Sequence, residues 1–506
     1  MHLRHHANHW TLGLAAALFA ATGCSASADD PGPDFQSSER ALSPKKPALS
    51  HRDTDDAGTI ESTSTNQFDS GSTDAFFAAN LGTNGRTCES CHLQKDGWGL
   101  TPADVRRLAA NDPLFQPNDG ADCPPVHAGQ APNRALSSQL VNYGLIRVQI
   151  GIPSGADFSL VAASNPQACA IPPGSAGASG ELFLFRRPLP STNLIFNSAV
   201  MWDGRETVQL PDTTAGQQSV EALLFDLAHQ ANDATIGHAQ GASIAGTAAE
   251  ADMVAFEANL YSAQVLQQFQ HVGLDQDGAH GGAAYLADTV APQFFIGVND
   301  PLKPGFTNRV FDIFSAWEPG SPGSSSLKKS AQAIGRGEAI FNNARFTIHD
   351  VPGLNSVPGN PLYNPADPLA GQDIVAGCGL CHNSPNVGNH STALAINIGV
   401  TMADPINNDG SPNDTLDLSH LPVYQLSNGV STVSVTDPGK ALISGKFTDV
   451  GKTKGPNLRG LASRAPYFHN GSAATLTDVV DFYNARFDMG LSEAEVSDLV
   501  AFLEAL

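Results

Sequence analysis

Two short cysteine–histidine motifs contain the residues of this chain whose types and spacing best suit them to chemistry. They are Cys88-Glu-Ser-Cys91-His92 and Cys378-Gly-Leu-Cys381-His382. Two thiols on one helical turn can add across the two vinyl groups of a haem, and the histidine that follows supplies an axial imidazole. The motifs therefore predict two covalently bound haem c groups, with His92 and His382 as iron ligands. The alternative is zinc held by the two cysteine pairs, which is disfavoured because the pairs are far apart in sequence and a histidine follows each.

The chain has seven cysteines, and three of them lie outside these motifs. Cys24 is close to the N-terminus, which leaves Cys123 and Cys169. In an oxidising compartment two leftover cysteines most often pair, so we expect a disulfide between Cys123 and Cys169. Two buried thiols are the alternative.

The N-terminus has the features of an export signal. Residues 1–24 combine a weakly positive start, a short apolar run and small residues before Cys24, which is typical of a secretory signal rather than a membrane span. The Gly23-Cys24 ending resembles a bacterial lipoprotein site, where Cys24 would be acylated; simple cleavage near this point is the alternative. Residues 25–70 are rich in Ser, Asp, Pro and Thr, which predicts a disordered tether. We therefore expect a protein of the periplasm or cell envelope that contacts a membrane only through a lipid on Cys24.

The composition disfavours nucleic-acid binding and a membrane-spanning helix. The chain has 50 acidic residues against 27 Lys and Arg, a formal net charge of −23. Nucleic-acid binding needs a basic surface that such a chain lacks. No stretch of 18 apolar residues is present, so no transmembrane helix is expected.

Helical patterns dominate the local sequence signals. We expect a helix over residues 249–268 and another that starts after Ser326 and runs towards Phe341. Because little of the sequence alternates with period two, a mainly α fold is expected. The stretch 319–326 is rich in Pro, Gly and Ser, which predicts a boundary between an N-terminal haem domain and a C-terminal one. These domains would span residues 71–325, with long loop-rich insertions, and residues 326–506.

Two further helices are predicted at the C-terminus, each with a recognisable start. Thr475 and Asp478 are spaced to cap the first of them, and Ser492 and Glu495 form a capping box for the second. The second helix also has one continuous apolar face.

Several stretches of the chain together resemble a known family. They are 80–92, 195–205, 381–386, 452–459 and 465–476. In order and spacing they resemble the bacterial di-haem cytochrome c peroxidases and the MauG-type enzymes. The resemblance implies two cytochrome-c-like helical domains, each with a covalently attached haem, and an active centre near their interface.

The resemblance also assigns roles to individual residues. Trp202 corresponds to a tryptophan that relays electrons between the two haems, although a buried aromatic residue is the simpler reading. Gln230 matches a glutamine in the pocket over the first haem. Tyr483 stands where the peroxidases have the methionine that is the sixth ligand of the second haem, and MauG-like members have tyrosine there. Met489 is the rival ligand.

The sequence departs from the family pattern at two places. Gln240 replaces a glutamate that helps to cleave the peroxide O–O bond, and an amide cannot shuttle a proton. His238 is a candidate substitute, and an ordinary surface histidine is the alternative. Pro188 replaces the asparagine that binds calcium in the family, so an inter-domain calcium is not favoured.

The leading functional expectation is an exported di-haem oxidoreductase of the peroxidase/MauG type. It would reduce hydrogen peroxide, or oxygen, at the His92 haem. Electrons would come from a small donor cytochrome or another redox protein and would pass through the second haem and Trp202. The alternatives are a non-enzymatic electron carrier with both haems six-coordinate and a di-haem oxygenase.

Overall fold

A computed structural model describes residues 49–55, 57–68, 72–78, 80–124, 129–169, 181–207, 219–267 and 271–506. The predicted signal peptide, Cys24 and the first part of the predicted tether lie outside these residues. Within the described part of the chain, no helix is both long enough and apolar enough to cross a membrane.

The helices range from single turns to five turns. They are α1 (Pro102–Val105), α2 (Ser138–Tyr143), α3 (Val220–Gly237), α4 (Ala248–Ala258), α5 (Ala283–Tyr285), α6 (Lys329–Asn343), α7 (Ala441–Ser444), α8 (Leu476–Arg486) and α9 (Glu493–Glu504). The helix expected after Ser326 is confirmed as α6. The predicted Thr475 cap of α8 and the predicted capping box of α9 are also confirmed, and at α8 Asp478 makes the cap reciprocal.

The strands are short and pair antiparallel. They are β1 (Leu49–Thr54), β2 (Gly58–Ser64), β3 (Ile146–Gly151), β4 (Ser159–Ser164), β5 (Glu181–Arg186), β6 (Tyr261–Gln267), β7 (Val272–Gly273), β8 (Phe346–Ile348), β9 (Ile374–Ala376), β10 (Ala395–Ile396), β11 (Val423–Ser427), β12 (Thr432–Val435) and β13 (Thr453–Lys454). The sheets they form have the orders β1-β2-β6-β7, β12-β11-β4, β3-β5, β8-β9 and β10-β13. The described residues are therefore not clearly mainly helical, and the predicted fold class is corrected on this point.

The prediction of a disordered tether over residues 25–70 is wrong for its last part. Residues 49–54 and 58–64 form β1 and β2, and β2 pairs with β6 about 200 residues further along the chain. Most side chains of β2 are small and polar, apart from Ile60 and Glu61, so its composition resembles that of a linker. They are nevertheless buried, because both neighbouring strands and the loop that carries Trp98 cover them.

The helix predicted over 249–268 is also wrong in its second half. Helix α4 ends at Ala258, and Asn259 is its C-cap. The sequence from Tyr261 then forms β6, whose aromatic and β-branched side chains suit a buried strand. The pairing with β2 overrides the local helical pattern.

One hydrophobic core crosses the predicted domain boundary at 319–326. Helices α6, α8 and α9 pack together, and their core includes Phe311, Phe314 and Trp317 from the chain before the boundary. Strand β4 likewise pairs with β11 from the far side of the boundary. The linker-like composition at 319–326 therefore marks a surface turn and not a division between two cores.

Candidate active site

The first Cys-x-x-Cys-His motif forms a tight turn at the mouth of a cavity. Cys88–Ser90 is a short 3₁₀ helix that Thr87 and Ser90 cap reciprocally. The cavity contains about 670 Å³ of space free of protein atoms, and Cys88, Cys91 and His92 line it.

The second motif has the same local structure and a larger cavity. Cys378–Leu380 is again a 3₁₀ helix. Cys378, Cys381 and His382 line a cavity with about 1680 Å³ of space free of protein atoms. The two motifs thus open onto separate cavities.

Both motif histidines are oriented in the same way. The Nδ1 atom of His92 donates to the Trp98 carbonyl at 3.1 Å, and Nδ1 of His382 donates to the Gly388 carbonyl at 2.6 Å. Because a carbonyl only accepts, the hydrogen of each neutral imidazole is on Nδ1 and the lone pair is on Nε2. Burial lowers the pKa of His92 to about 4 and also lowers that of His382. Both imidazoles are therefore neutral at pH 7 and have a nitrogen available for a metal.

These arrangements fit haem and do not fit one zinc ion bound by four thiolates. Each cysteine pair lines its own cavity, whereas such a zinc site brings both pairs within about 2.3 Å of one ion. In the second cavity Arg187, Lys454 and Arg464 donate to backbone carbonyls. Burial lowers the pKa values of Arg187 and Arg464 to about 10 and that of Lys454 to about 7. The carboxylate side chains of a haem would compensate these positive charges.

Of the polar residues expected at the first cavity, the structure brings two to its wall. Gln230 and His238, both from the α3 region, line the cavity. The His238 imidazole is held through Nδ1 by the Asp119 carboxylate at 2.5 Å, and Arg86 pairs with the same carboxylate. Gln240 does not line the cavity. It is exposed and has a left-handed backbone (φ 54°). The chain turns here after α3 ends, and the Gln240 carbonyl accepts a hydrogen bond from the Thr83 hydroxyl.

The sequence analysis missed a buried carboxyl group in the first cavity. Glu257 lies in α4 and lines the cavity. Its side chain is on the same helical face as Met253, one turn earlier, which also lines the cavity and is buried. An acidic residue four positions after Met253, on the face that carries the buried apolar side chains, is the signal that could have identified it.

Both candidate sixth ligands line the second cavity. Tyr483 is on the inward face of α8, and Met489 follows the end of that helix. The Tyr483 ring packs against Phe482 at 5.4 Å and Phe468 at 6.2 Å between centroids. The geometry therefore keeps Tyr483 and Met489 as alternatives.

The segment 187–191 forms a thin wall between the two cavities. Arg187 and Pro188 line the second cavity, whereas Ser191 lines the first. The Ser191 amide donates to the Trp98 carbonyl, which also accepts from His92. At the other end of the segment, the Arg187 carbonyl accepts from the Trp202 indole at 2.8 Å. A continuous path of covalent and hydrogen bonds thus joins His92 to Trp202, which lines the second cavity.

A buried ionic network holds the turn that carries Trp202. The Arg186 guanidinium contacts Asp203 at 2.5 Å and both oxygens of Asp437 at 2.7 and 2.9 Å. Arg186 and its partners lower the pKa values of Asp203 and Asp437 despite burial. Because Asp203 follows Trp202 directly, the network fixes the position of the indole.

The region between α1 and β5 is cross-linked by a disulfide. Cys123 and Cys169 form a disulfide with their Cα atoms 5.3 Å apart. The bond connects the chain before α2 to the residues that follow β4, and β4 itself pairs with β11.

Two curated relatives each match about a quarter of the chain. No family model matches it. Cytochrome-c peroxidase IdrP2 of Denitromonas iodatirespirans is 39% identical over 141 residues, which are 26% of this chain and 36% of that protein. Cytochrome c551 peroxidase of Nitrosomonas europaea is 29% identical over 143 residues, or 28% of this chain and 34% of that protein. Among solved structures, a MauG-like protein associated with microbial copper homeostasis has 16% identity over 85% of both chains and a TM-score of 0.33.

The matched segments relate part of this chain to proteins named cytochrome c peroxidases. The chain spans about a third of the length of the first curated relatives that it matches. Over that part it is related to the bacterial cytochrome c peroxidases, which confirms the resemblance to the di-haem peroxidase/MauG family. This family implies haem c as the cofactor.

Proposed function

We propose that this chain is an exported di-haem oxidoreductase that reduces hydrogen peroxide at the His92 site. Electrons would come from a small redox protein through the His382 site. The arrangement of the two cavities supports this proposal most directly. Each Cys-x-x-Cys-His motif opens onto its own cavity, and the wall at 187–191 connects the two through hydrogen bonds.

The residues of the two motifs would hold the haems. The four cysteines would form thioether bonds, and Nε2 of His92 and His382 would bind the irons. When bound, the haems supply the redox chemistry, and the polypeptide positions the substrate and the protons. Arg187, Lys454 and Arg464 would compensate the haem carboxylates in the second cavity.

The first cavity has side chains suited to peroxide. Gln230 can donate and accept hydrogen bonds and would orient the substrate. His238 has its Nδ1 atom bonded to Asp119, so it would present Nε2 to the cavity, as an oriented general base does. The second cavity would be closed on its far side by Tyr483 or Met489, which suits a site that transfers electrons and does not bind substrate.

The spectrum of the ferric protein and its turnover of substrates distinguish the proposed peroxidase from an electron carrier and from an oxygenase. An electron carrier with both haems six-coordinate would show only low-spin signals that peroxide and cyanide leave unchanged. A di-haem oxygenase would bind dioxygen and cleave an apolar substrate. A peroxidase would oxidise two equivalents of a one-electron donor for each peroxide consumed.

Substitution of Trp202 tests the electron path. In the haem-loaded protein, Trp202→Phe should slow steady-state peroxide reduction at least tenfold, because it removes the indole that bonds to the Arg187 carbonyl. Trp317→Phe is the control, since the Trp317 indole also donates to a backbone carbonyl but lines neither cavity. Equal rates in the two variants would contradict the path, and no peroxide turnover in the wild type would contradict the function.

A further inference from the structure

Glu257 is a carboxyl group buried inside the first cavity. Its side chain is among the most buried acidic ones, with 5% of the residue exposed. It lines the same cavity as Cys88, His92 and Gln230. Its Oε2 atom has no hydrogen-bond partner among the described residues.

Nothing in the fold requires a carboxyl group at this position. The neighbouring cavity residue on the same face of α4 is Met253. The other buried acidic residue of this helix, Glu250, accepts a hydrogen bond from the Gly246 amide, whereas Oε2 of Glu257 has no such partner. A buried carboxyl group with one oxygen left without a hydrogen bond is destabilising, whereas a methionine or leucine here would contribute to stability. The carboxyl group is therefore better explained by what it can do in the cavity than by packing.

The surroundings of Glu257 favour its protonated form. Burial raises its pKa to about 8, and the nearby Asp74 carboxyl adds to this shift, whereas a hydrogen bond from Ser191 opposes it. The pKa of Asp74 is itself raised to about 6, by burial and by Asp252. Cys88 also faces Glu257, but in the haem-bound protein its sulfur would be a thioether and would not titrate.

Gln240 and His238, the two residues that the sequence analysis considered for this step, are less suited to supply a proton. Gln240, at the position where the family has its glutamate, is exposed and outside the cavity. His238 has one nitrogen bound to Asp119, and its side chain is 46% exposed. Glu257 alone among these groups combines burial, a free oxygen and a dissociable proton within the cavity.

We propose that Glu257 delivers the proton that peroxide cleavage requires in the first cavity, in place of the glutamate that Gln240 replaces. This inference rests on the proposed function. Overall, one hydrogen peroxide takes up two electrons from the reduced donor protein and two protons, and two waters form. Glu257 gives its proton to the oxygen that departs as the O–O bond breaks, becomes a carboxylate, and is reprotonated from solvent.

Three variants of the haem-loaded protein test this inference. Glu257→Gln keeps a hydrogen-bond donor of the same size but cannot release a proton, so kcat/KM for peroxide should fall about 10²-fold or more. His238→Gln should have a smaller effect. Glu338→Gln is the matched control, because Glu338 is also fully buried, has a free oxygen and a pKa raised to about 8, yet lines neither cavity. It should change kcat/KM by less than twofold.

An infrared measurement provides a readout that does not depend on turnover. The difference spectrum between cyanide-bound and cyanide-free ferric protein at pH 7 should contain the carbonyl band of a protonated carboxyl group. The band should disappear in Glu257→Gln and persist in Glu338→Gln. The wild-type kcat/KM should also decline above about pH 8, as Glu257 loses its proton, and Glu257→Gln should lack this decline.

The outcomes separate the inference from the function on which it rests. Wild-type turnover combined with less than a threefold loss in Glu257→Gln, or a band that survives in that variant, would overturn the role of Glu257 and leave the peroxidase function intact. A larger loss in His238→Gln than in Glu257→Gln would transfer the role to His238. Absence of wild-type turnover would refute the peroxidase function, and the infrared band would still decide whether Glu257 is a protonated group that responds to a ligand in this cavity.

Discussion

Replacement of Arg186 by methionine should destabilise the protein far more than the loss of an ordinary ion pair. The Arg186 side chain is 4% exposed, and its partners Asp203 and Asp437 are 0% and 4% exposed. Methionine fills similar space without charge, so the variant would leave two buried carboxylates with weak compensation. Arg205 would still contact Asp203, and His469 lies 3.7 Å from Asp437.

The size of the effect follows from this burial. Removal of one partner from a buried ion pair costs about 3–5 kcal/mol, because the remaining charge is uncompensated. Arg336→Met is the matched control: Arg336 also contacts a carboxylate, Asp498, through two bonds of 2.6 Å, but its side chain is 43% exposed. An exposed pair contributes about 0.2–1 kcal/mol. The two variants should therefore differ by roughly 3 kcal/mol in the free energy of unfolding.

Urea denaturation followed by circular dichroism at pH 7 and at pH 3 would measure this difference. The folded-state pKa values of Asp203 and Asp437 are lowered, so their stabilisation is present above the unfolded-state pKa of about 3.9 and is lost as the pH falls through the folded-state values. The penalty of Arg186→Met should thus be full at pH 7 and should begin to shrink below about pH 4. If Arg186→Met loses no more stability than Arg336→Met at pH 7, the network does not hold the Trp202 turn as argued.

Two further predictions concern the second cavity and the cross-linked loop. Tyr483→Phe should change only the electron paramagnetic resonance signal of the second haem, and Met489→Leu should leave both signals unchanged; the reverse pattern would make Met489 the ligand. Replacement of Cys123 and Cys169 by serine should lower the free energy of unfolding by about 4 kcal/mol in the chain-entropy model, since the disulfide closes a loop with a sequence separation of 46. The loss should be visible in urea denaturation, and a loss below 1 kcal/mol would show that the loop is held mainly by the pairing of β4 with β11.

Features that depend on neighbouring residues were predictable from the sequence. The capping boxes at Thr475 and Ser492 are formed by side chains three residues apart, so their pattern is complete within one turn. The Cys-x-x-Cys-His motifs are local in the same sense, and the structure forms each of them as a single 3₁₀ turn. The family resemblance is likewise carried by short, contiguous stretches.

Features that depend on distant partners were not predictable in this way. Residues 58–64 look like a linker because their side chains are small and polar, yet they form the strand that pairs with β6 and supplies Ser62 to the Trp98 indole. The burial of these polar groups is compensated by hydrogen bonds whose partners come from elsewhere in the chain. Composition alone cannot report such compensation.

The same limit explains why the sequence points to Gln240 and the structure to Glu257. Comparison along the chain identifies the residue at a given distance from Gln230, but the chain after α3 turns away from the cavity at a residue with positive φ. The next helix, α4, then returns a carboxyl group to the cavity from its inward face. A proton donor needs only to reach the reacting oxygen, so its position in space matters and its position in the sequence does not. The loss of the family glutamate at position 240 is therefore not by itself evidence against peroxide chemistry in this chain.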